Sequence, residues 1–219
     1  LNGMSADGYS IVGCNLPHIV LQPLEGQVQY KTDDITPAYW FHYTADALIV
    51  SADSPFKTFA DLVKAAKAEP GKLTFAGSAT YSANHVAHEK FNQFADVKTT
   101  YVPFKGTGDM IQSIIGRHVS GAMSYVPLAL QQRQRMRMLA VALEKRHPAF
   151  PDVPTFKELG YKWVDGAYRG VAVPLRDHKG HTLAALSVSM PIQQESAPQA
   201  VQRVLPVLRE TAQSLRQLL

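Results

Sequence analysis

Two hydrophobic periods take turns along the chain. Short apolar runs of strand length fall at 9–13, 45–51, 72–76, 99–103, 119–125 and 138–142. Between them, apolar residues recur at helical spacing. The best-marked helix follows Ser54 and Pro55. Thr58 is placed to cap it, with Asp61 at the third helical position, and Phe59, Leu62, Val63 and Ala66 form its apolar face before Pro70 and Gly71 stop it. A second helix is predicted over 84–94, with Val86, Phe91 and Phe94 among its apolar positions. A third carries Met110, Ile111, Ile114 and Ile115 up to Gly116, and a short fourth spans 126–134. The stretch 15–18 reads as a loop, and 19–24 as one helical turn. Strands alternating with helices of this length predict an α/β fold with a largely parallel sheet.

Composition narrows the picture. The chain has 219 residues, enough for one large domain or two small ones, and is 46% hydrophobic but only 18% charged, which excludes bulk disorder. Its apolar runs fall well short of the roughly 20 residues that a spanning helix needs. The net charge of +4 is mild and no Lys/Arg block is present, so nucleic acid is not an expected partner. A single cysteine, Cys14, rules out an intrachain disulfide and a cysteine-based zinc cluster. The sequence starts at Leu1 without a basic and then apolar leader pattern, and reads as a mature form, a fragment or an internal piece.

Candidate chemistry sits where strands hand over to helices. There the free N–H groups and the helix dipole favour an anion, and open α/β sheets take ligands at the carboxyl ends of their strands. The loop 78–85 offers the hydroxyls of Ser78, Thr80 and Ser82, the Asn84 amide and a helix start. Read locally, the pattern fits a plain capping loop slightly better, with Ser82 as the cap and the other hydroxyls solvated. The loop 104–109 has glycines that admit a ligand backbone-close, and Thr107 is placed to cap, while Asp109 would repel an anion and Lys105 reads as solvated. A third loop, Asn15 to His18, presents His18 after Pro17.

Catalytic and metal signatures are absent from the sequence. The eight histidines include no H-E-x-x-H; His85 and His88 are three apart on one helix without a third ligand. No G-x-S-x-G and no strand-linked G-x-G-x-x-G occurs. No enzyme, cofactor or metal is expected, and Cys14 reads as a small buried hydrophobe.

Several segments together resemble the extracytoplasmic receptors of tripartite tricarboxylate transporters, the Bug family. These are ADGYSIV at 6–12, SPFKTFADL at 54–62 with PGKLTF at 70–75, GSATYSANH at 77–85, YVPFKG at 101–106 and FPDVPTFKELG at 150–160. The resemblance runs from about Ala6 to Pro174. It implies a two-lobed, periplasmic-binding-protein-like α/β clamp with mostly parallel sheets that closes on a small di- or tricarboxylate. It further implies a periplasmic location and delivery to membrane subunits of the transporter. Carried over by position, Ser78, Thr80, Tyr81, Ser82 and His85 lie on the ligand loop of the second lobe, Gly106 and Thr107 on the next loop, and Asn15, Pro17 and His18 on a first-lobe loop. Ala79, Thr80 and Tyr81 replace a stretch that is more glycine-rich in the family, so Tyr81 either narrows the pocket or stacks on the ligand.

The resemblance also predicts a partial first lobe at 1–76, a second lobe at 77–174 and a tail at 175–219. Family members carry a further first-lobe segment before the D-G-Y strand, so the first lobe is expected to be incomplete here. From Arg169 onward the chain resembles the end of the effector domain of IclR-type regulators, in RGVAVPLRD at 169–177, KGHTLAALSVSM at 179–190 and VLPVLRETAQSL at 204–215. The chain then reads as a mosaic, and the alternative to the receptor function is a chimeric or truncated ligand-sensing or interaction fragment with impaired binding. Val201, Val204, Leu205, Leu208, Ala212, Leu215 and Leu219 form a helical stripe that either covers neighbouring apolar surface or makes a dimer.

Overall fold

The structure is a computed structural model, and it describes residues 11–26, 28–35, 39–172, 175–176 and 182–184. The chain divides into two compact units, residues 1–43 with 168–219, and residues 44–167. It passes between them within two strands, β2 (Tyr39–Ser51) and β7 (Gly166–Ala172).

In the first unit, β1 (Val12–Leu16) leads into α1 (His18–Glu25). A single 3-10 turn at Thr32–Asp34 follows. β1 runs antiparallel to the later strand β7 (Gly166–Ala172), in a register that sets Asn15 opposite Arg169 and Leu16 opposite Tyr168. This corrects the loop expected at 15–18. Cross-strand pairing carries Asn15 and Leu16 into the strand, only Pro17 remains as a link, and His18 opens a helix of two turns. Cys14, Ile19 and Ala172 are buried together, with Leu16, Ile35 and Trp40 packed against them. Cys14 is thus the small core residue that the sequence suggested, and burial pushes its thiol pKa up. The two-residue β8 (Leu175–Arg176) pairs antiparallel with β9 (Thr182–Ala184). Residues 185–219, with the apolar stripe at 201–219, lie outside the described residues.

The second unit is built on β2 (Tyr39–Ser51), longer than the apolar run at 45–51 foretold. It is followed by α2 (Phe59–Ala68), β3 (Thr74–Gly77), α3 (Ala83–Ala95), β4 (Thr100–Pro103), α4 (Thr107–Ile115), β5 (Gly121–Tyr125), α5 (Val126–Gln131) and β6 (Met136–Val141). β3 pairs in parallel with both β4 and β5, as helical crossovers require. β2 is antiparallel to both β5 and β6. The α/β class stands, but the sheet is mixed where a mostly parallel one was expected. The local strand–helix alternation carries no information on the direction of β2, which is set by long-range pairing.

The core of this unit joins Leu48, Val50, Phe75 and Met123 on the sheet with Phe59 and Leu62 of α2 and Ala87 and Phe91 of α3. Phe75 stacks on Phe91 at 5.4 Å and Phe156 on Trp163 at 4.3 Å, geometries that add to simple area burial. The starts of α2 and α3 follow the sequence, but α4 is capped by Gly106, and Thr107, expected as its cap, is its first helical residue. Thr58 caps α2 in a reciprocal capping box with Asp61, whose carboxylate accepts from the Thr58 N–H at 2.8 Å.

Candidate functional site

β3 lies between β4 and β5, so the chain leaves it on one side and returns on the other. Such a reversal opens a crevice at the carboxyl ends of the strands. The chain runs from Gly77 at the end of β3 through 78–82 into α3, and from Pro103 at the end of β4 through 104–106 into α4. The Phe104 N–H donates to the Gly77 carbonyl at 2.8 Å and ties the two exits together. Two helix N-termini therefore stand behind adjacent parallel strands. The first-turn amides of each have no acceptor within the helix. The Gly106 cap of α4 brings no side-chain hydrogen bond to its own.

The structure brings Ser78, Thr80, Tyr81, Ser82 and His85 together, and it shows that they do different things. Ser82 is the N-cap of α3, accepting from the His85 N–H at 3.3 Å and donating to the Ala79 carbonyl at 2.9 Å. It is buried, at 1% exposure, and so acts on the loop from beneath. The Ser78 hydroxyl donates to Asn84 Oδ1 at 2.6 Å, and Asn84 Nδ2 donates to the Met123 carbonyl at 2.8 Å, which joins the loop to β5. Thr80 and Tyr81 are exposed. His85 Nδ1 accepts from the Tyr81 N–H at 3.1 Å, so in the neutral ring the proton sits on Nε2, which lies 3.7 Å from Glu89. Ala79 and Tyr81 hold φ of +140° and +56°. These are conformations that favour glycine, at the place where the family resemblance predicts glycines.

Gly106 and Thr107 form the start of α4, with Thr107, Lys105 and Asp109 all exposed. Asn15, Pro17 and His18 belong to the first unit. Asn15 is exposed and His18 half-buried, and the His18 Nδ1 has no hydrogen-bond partner among the described residues. Burial, with the Arg169 charge adding to it, pulls the His18 pKa down and keeps the ring neutral. His88, the other member of the i, i+3 pair, is a satisfied core histidine. Its ring nitrogens contact Glu89 at 3.0 Å and Thr99 at 2.8 Å.

Two features escaped the sequence reading. One is Tyr101 on β4, whose hydroxyl reaches the same loop, donating to the Ala79 carbonyl at 2.7 Å. The other is Asp46 on β2, 4% exposed, with its Oδ1 unpartnered among the described residues. Burial foremost, with the nearby Asp165 charge adding and Lys90 opposing, pushes its carboxyl up to about 8. Lys90 itself pairs with Asp165. Only sheet register and helix packing bring these groups together, so no local motif announces them.

Comparison with known proteins places this geometry. The family model for the tripartite tricarboxylate transporter family receptor matches residues 2–175. A protein of Cupriavidus necator described as "UPF0065 protein in gbd 5'region" is 35% identical over 128 residues, which is 58% of this chain and 39% of that relative. Protein BugT of Bordetella pertussis is 27% identical over 176 residues, 78% of this chain and 54% of that relative. The chain thus spans about half the length of the curated relatives it matches. Among solved structures, MatC of Rhodopseudomonas palustris with bound malate superposes with a TM-score of 0.70 at 19% identity, covering 99% of this chain and 81% of that one. An R. palustris protein with adipate gives 0.69 at 22% identity, covering 99% and 79%. These likenesses show the fold, an α/β architecture of the periplasmic-binding-protein kind. On the match across 2–175, the chain belongs to the tripartite tricarboxylate transporter receptor family.

Proposed function

We propose that this protein is an extracytoplasmic receptor that binds a small di- or tricarboxylate for membrane subunits of a tripartite tricarboxylate transporter. The observation that carries the reading is the pair of helix N-termini, α3 and α4, standing behind adjacent parallel strands in a chain of this family. A carboxylate suits them because each end carries about half a positive charge and unbonded N–H groups. Malate and adipate, bound by two proteins of similar fold, belong to this ligand class. In this reading the ligand meets the amides of 78–85 and 106–107, with Thr80 and Tyr81 at the rim. Ser78, Ser82 and His85 hold the loop in shape. Asn15, Pro17 and His18 stay in the proposed ligand set on the family resemblance alone. The protein works by binding and release, without covalent chemistry, and its place is the periplasm. The regulator-like reading of the tail, including a dimer through 201–219, rests on the sequence resemblance alone.

The test is a thermal melt of the 219-residue chain with malate, adipate and citrate. A ligand that binds only the folded state at about 100 times its Kd adds about 2.7 kcal/mol and raises the midpoint. At least one acid is expected to do so, with uncharged diamide analogues inert. A midpoint unmoved by every acid at millimolar concentration would overturn the receptor reading.

A further inference from the structure

Gly77, Ala79, Ser82, His85 and Tyr101 meet beneath the 78–82 loop. The Tyr101 ring lies stacked against His85, with centroids 4.3 Å apart and planes 22° apart. Its hydroxyl donates to the Ala79 carbonyl at 2.7 Å and lies 3.3 Å from Ser82 Oγ. Room for that ring exists because residue 77 has no side chain: a Cβ there would stand 2.0 Å from the Tyr101 hydroxyl oxygen and 2.5 Å from two ring carbons. The loop above contains the two non-glycine residues with φ of +140° and +56°, Ala79 and Tyr81. A segment held in such conformations persists only where its surroundings over-determine it. The surroundings here are the contacts of Tyr101, Ser82 and His85: two hydroxyls on the Ala79 carbonyl, and an imidazole on the Tyr81 N–H.

We infer that Tyr101 is the positioning residue of the anion loop: its hydroxyl on the Ala79 carbonyl holds 78–82 in the strained shape that presents the start of α3 to a carboxylate. The inference rests on the receptor reading above for its ligand, and on the loop geometry alone for its mechanism. It also gives Gly77 a role, as the gap into which the ring fits.

The experiment uses Tyr101→Phe in the full chain, which keeps the ring on His85 and removes only the hydroxyl. Backbone amide exchange is measured on the ligand-free protein, and malate and adipate are titrated by calorimetry. Loss of one such hydrogen bond is expected to speed exchange at 79–82 by about fivefold and to weaken binding by about fivefold to tenfold. The melting midpoint is expected to move by no more than about 4 °C. A merely structural role would lower the midpoint and leave the affinity of the folded protein unchanged. Gly77→Ala, by displacing the ring, should loosen the same amides; Gly77→Ala with Tyr101→Ala should regain melting stability without tightening the loop. Wild-type exchange rates at 79–82 in Tyr101→Phe would overturn the inference, as would faster exchange with unchanged affinity. Should the parent chain bind none of malate, adipate and citrate, the receptor reading falls, and the exchange rates alone decide whether Tyr101 sets the loop.

Discussion

At the residue scale, the most consequential group outside the 78–82 loop is Asp46. It sits on β2, buried, with Asp165 nearby and Lys90 engaged by Asp165. Its folded pKa of about 8 lies above the ordinary 3.8, so the unfolded chain ionises first as pH rises. The native state then holds a proton that the unfolded state has released, and stability falls with rising pH between those two values. Replacing Asp46 with Asn removes the titration and keeps the shape. Asp46→Asn is therefore expected to be close to neutral near pH 4 and stabilising at pH 8.5, by at most about 5 kcal/mol. Urea denaturation at the two pH values checks this. Equal effects at both would mean that Asp46 is ionised in the native state at neutral pH.

At the scale of elements, several segments that carry the family resemblance are structural devices. SPFKTFADL holds the capping box of α2, in which Thr58 Oγ1 accepts from the Asp61 N–H at 3.2 Å. In FPDVPTFKELG, the Thr155 N–H donates to Glu158 at 2.8 Å and the Glu158 N–H donates to Thr155 Oγ1 at 3.1 Å. Arg146 Nε sits 3.0 Å from both Glu158 oxygens, and these contacts hold the Glu158 pKa below the usual carboxylate range, with the Thr155 N–H contributing most. That turn drives Phe156 into the core against Trp163. Thr58→Ala should cost about 1 kcal/mol in chemical denaturation, the usual worth of an N-cap, without changing carboxylate affinity. A loss of affinity in the folded variant would mean that α2 contributes to the site.

At the scale of the whole molecule, the described residues of the two units differ in how much they bury. The second has a continuous aromatic and aliphatic core across both sheet and helices, whereas the described core of the first is Cys14, Ile19 and Ala172 with three half-buried neighbours. Phe156 is among the largest fully buried side chains of the second unit. Phe156→Ala should cost about 3–5 kcal/mol, read as a shift of the urea midpoint. A cost under about 1 kcal/mol would show that the core collapses around the gap.

The strands and helices between 45 and 141, the Thr58 cap and the helix-start loops at 78–82 and 104–106 were legible in the sequence, because periodicity, capping and turn chemistry act over a few residues. The family was legible as well, through motifs whose order and spacing survive even where each is weak alone. Other features came only with the tertiary structure. The antiparallel course of β2, the entry of Asn15 into β1 and the burial of Asp46 beside Asp165 depend on partners far away in the chain. The division of labour within the 78–82 loop is of the same kind. Ser78 and Ser82 look alike as loop hydroxyls, yet one reaches β5 through Asn84 and the other caps α3. Tyr101 comes under that loop because β4 pairs with β3 in a register that sets Tyr101 opposite Phe75, two residues before the glycine that makes room for its ring. Local sequence sets what each segment can be; the pairing of distant segments decides which side chains meet.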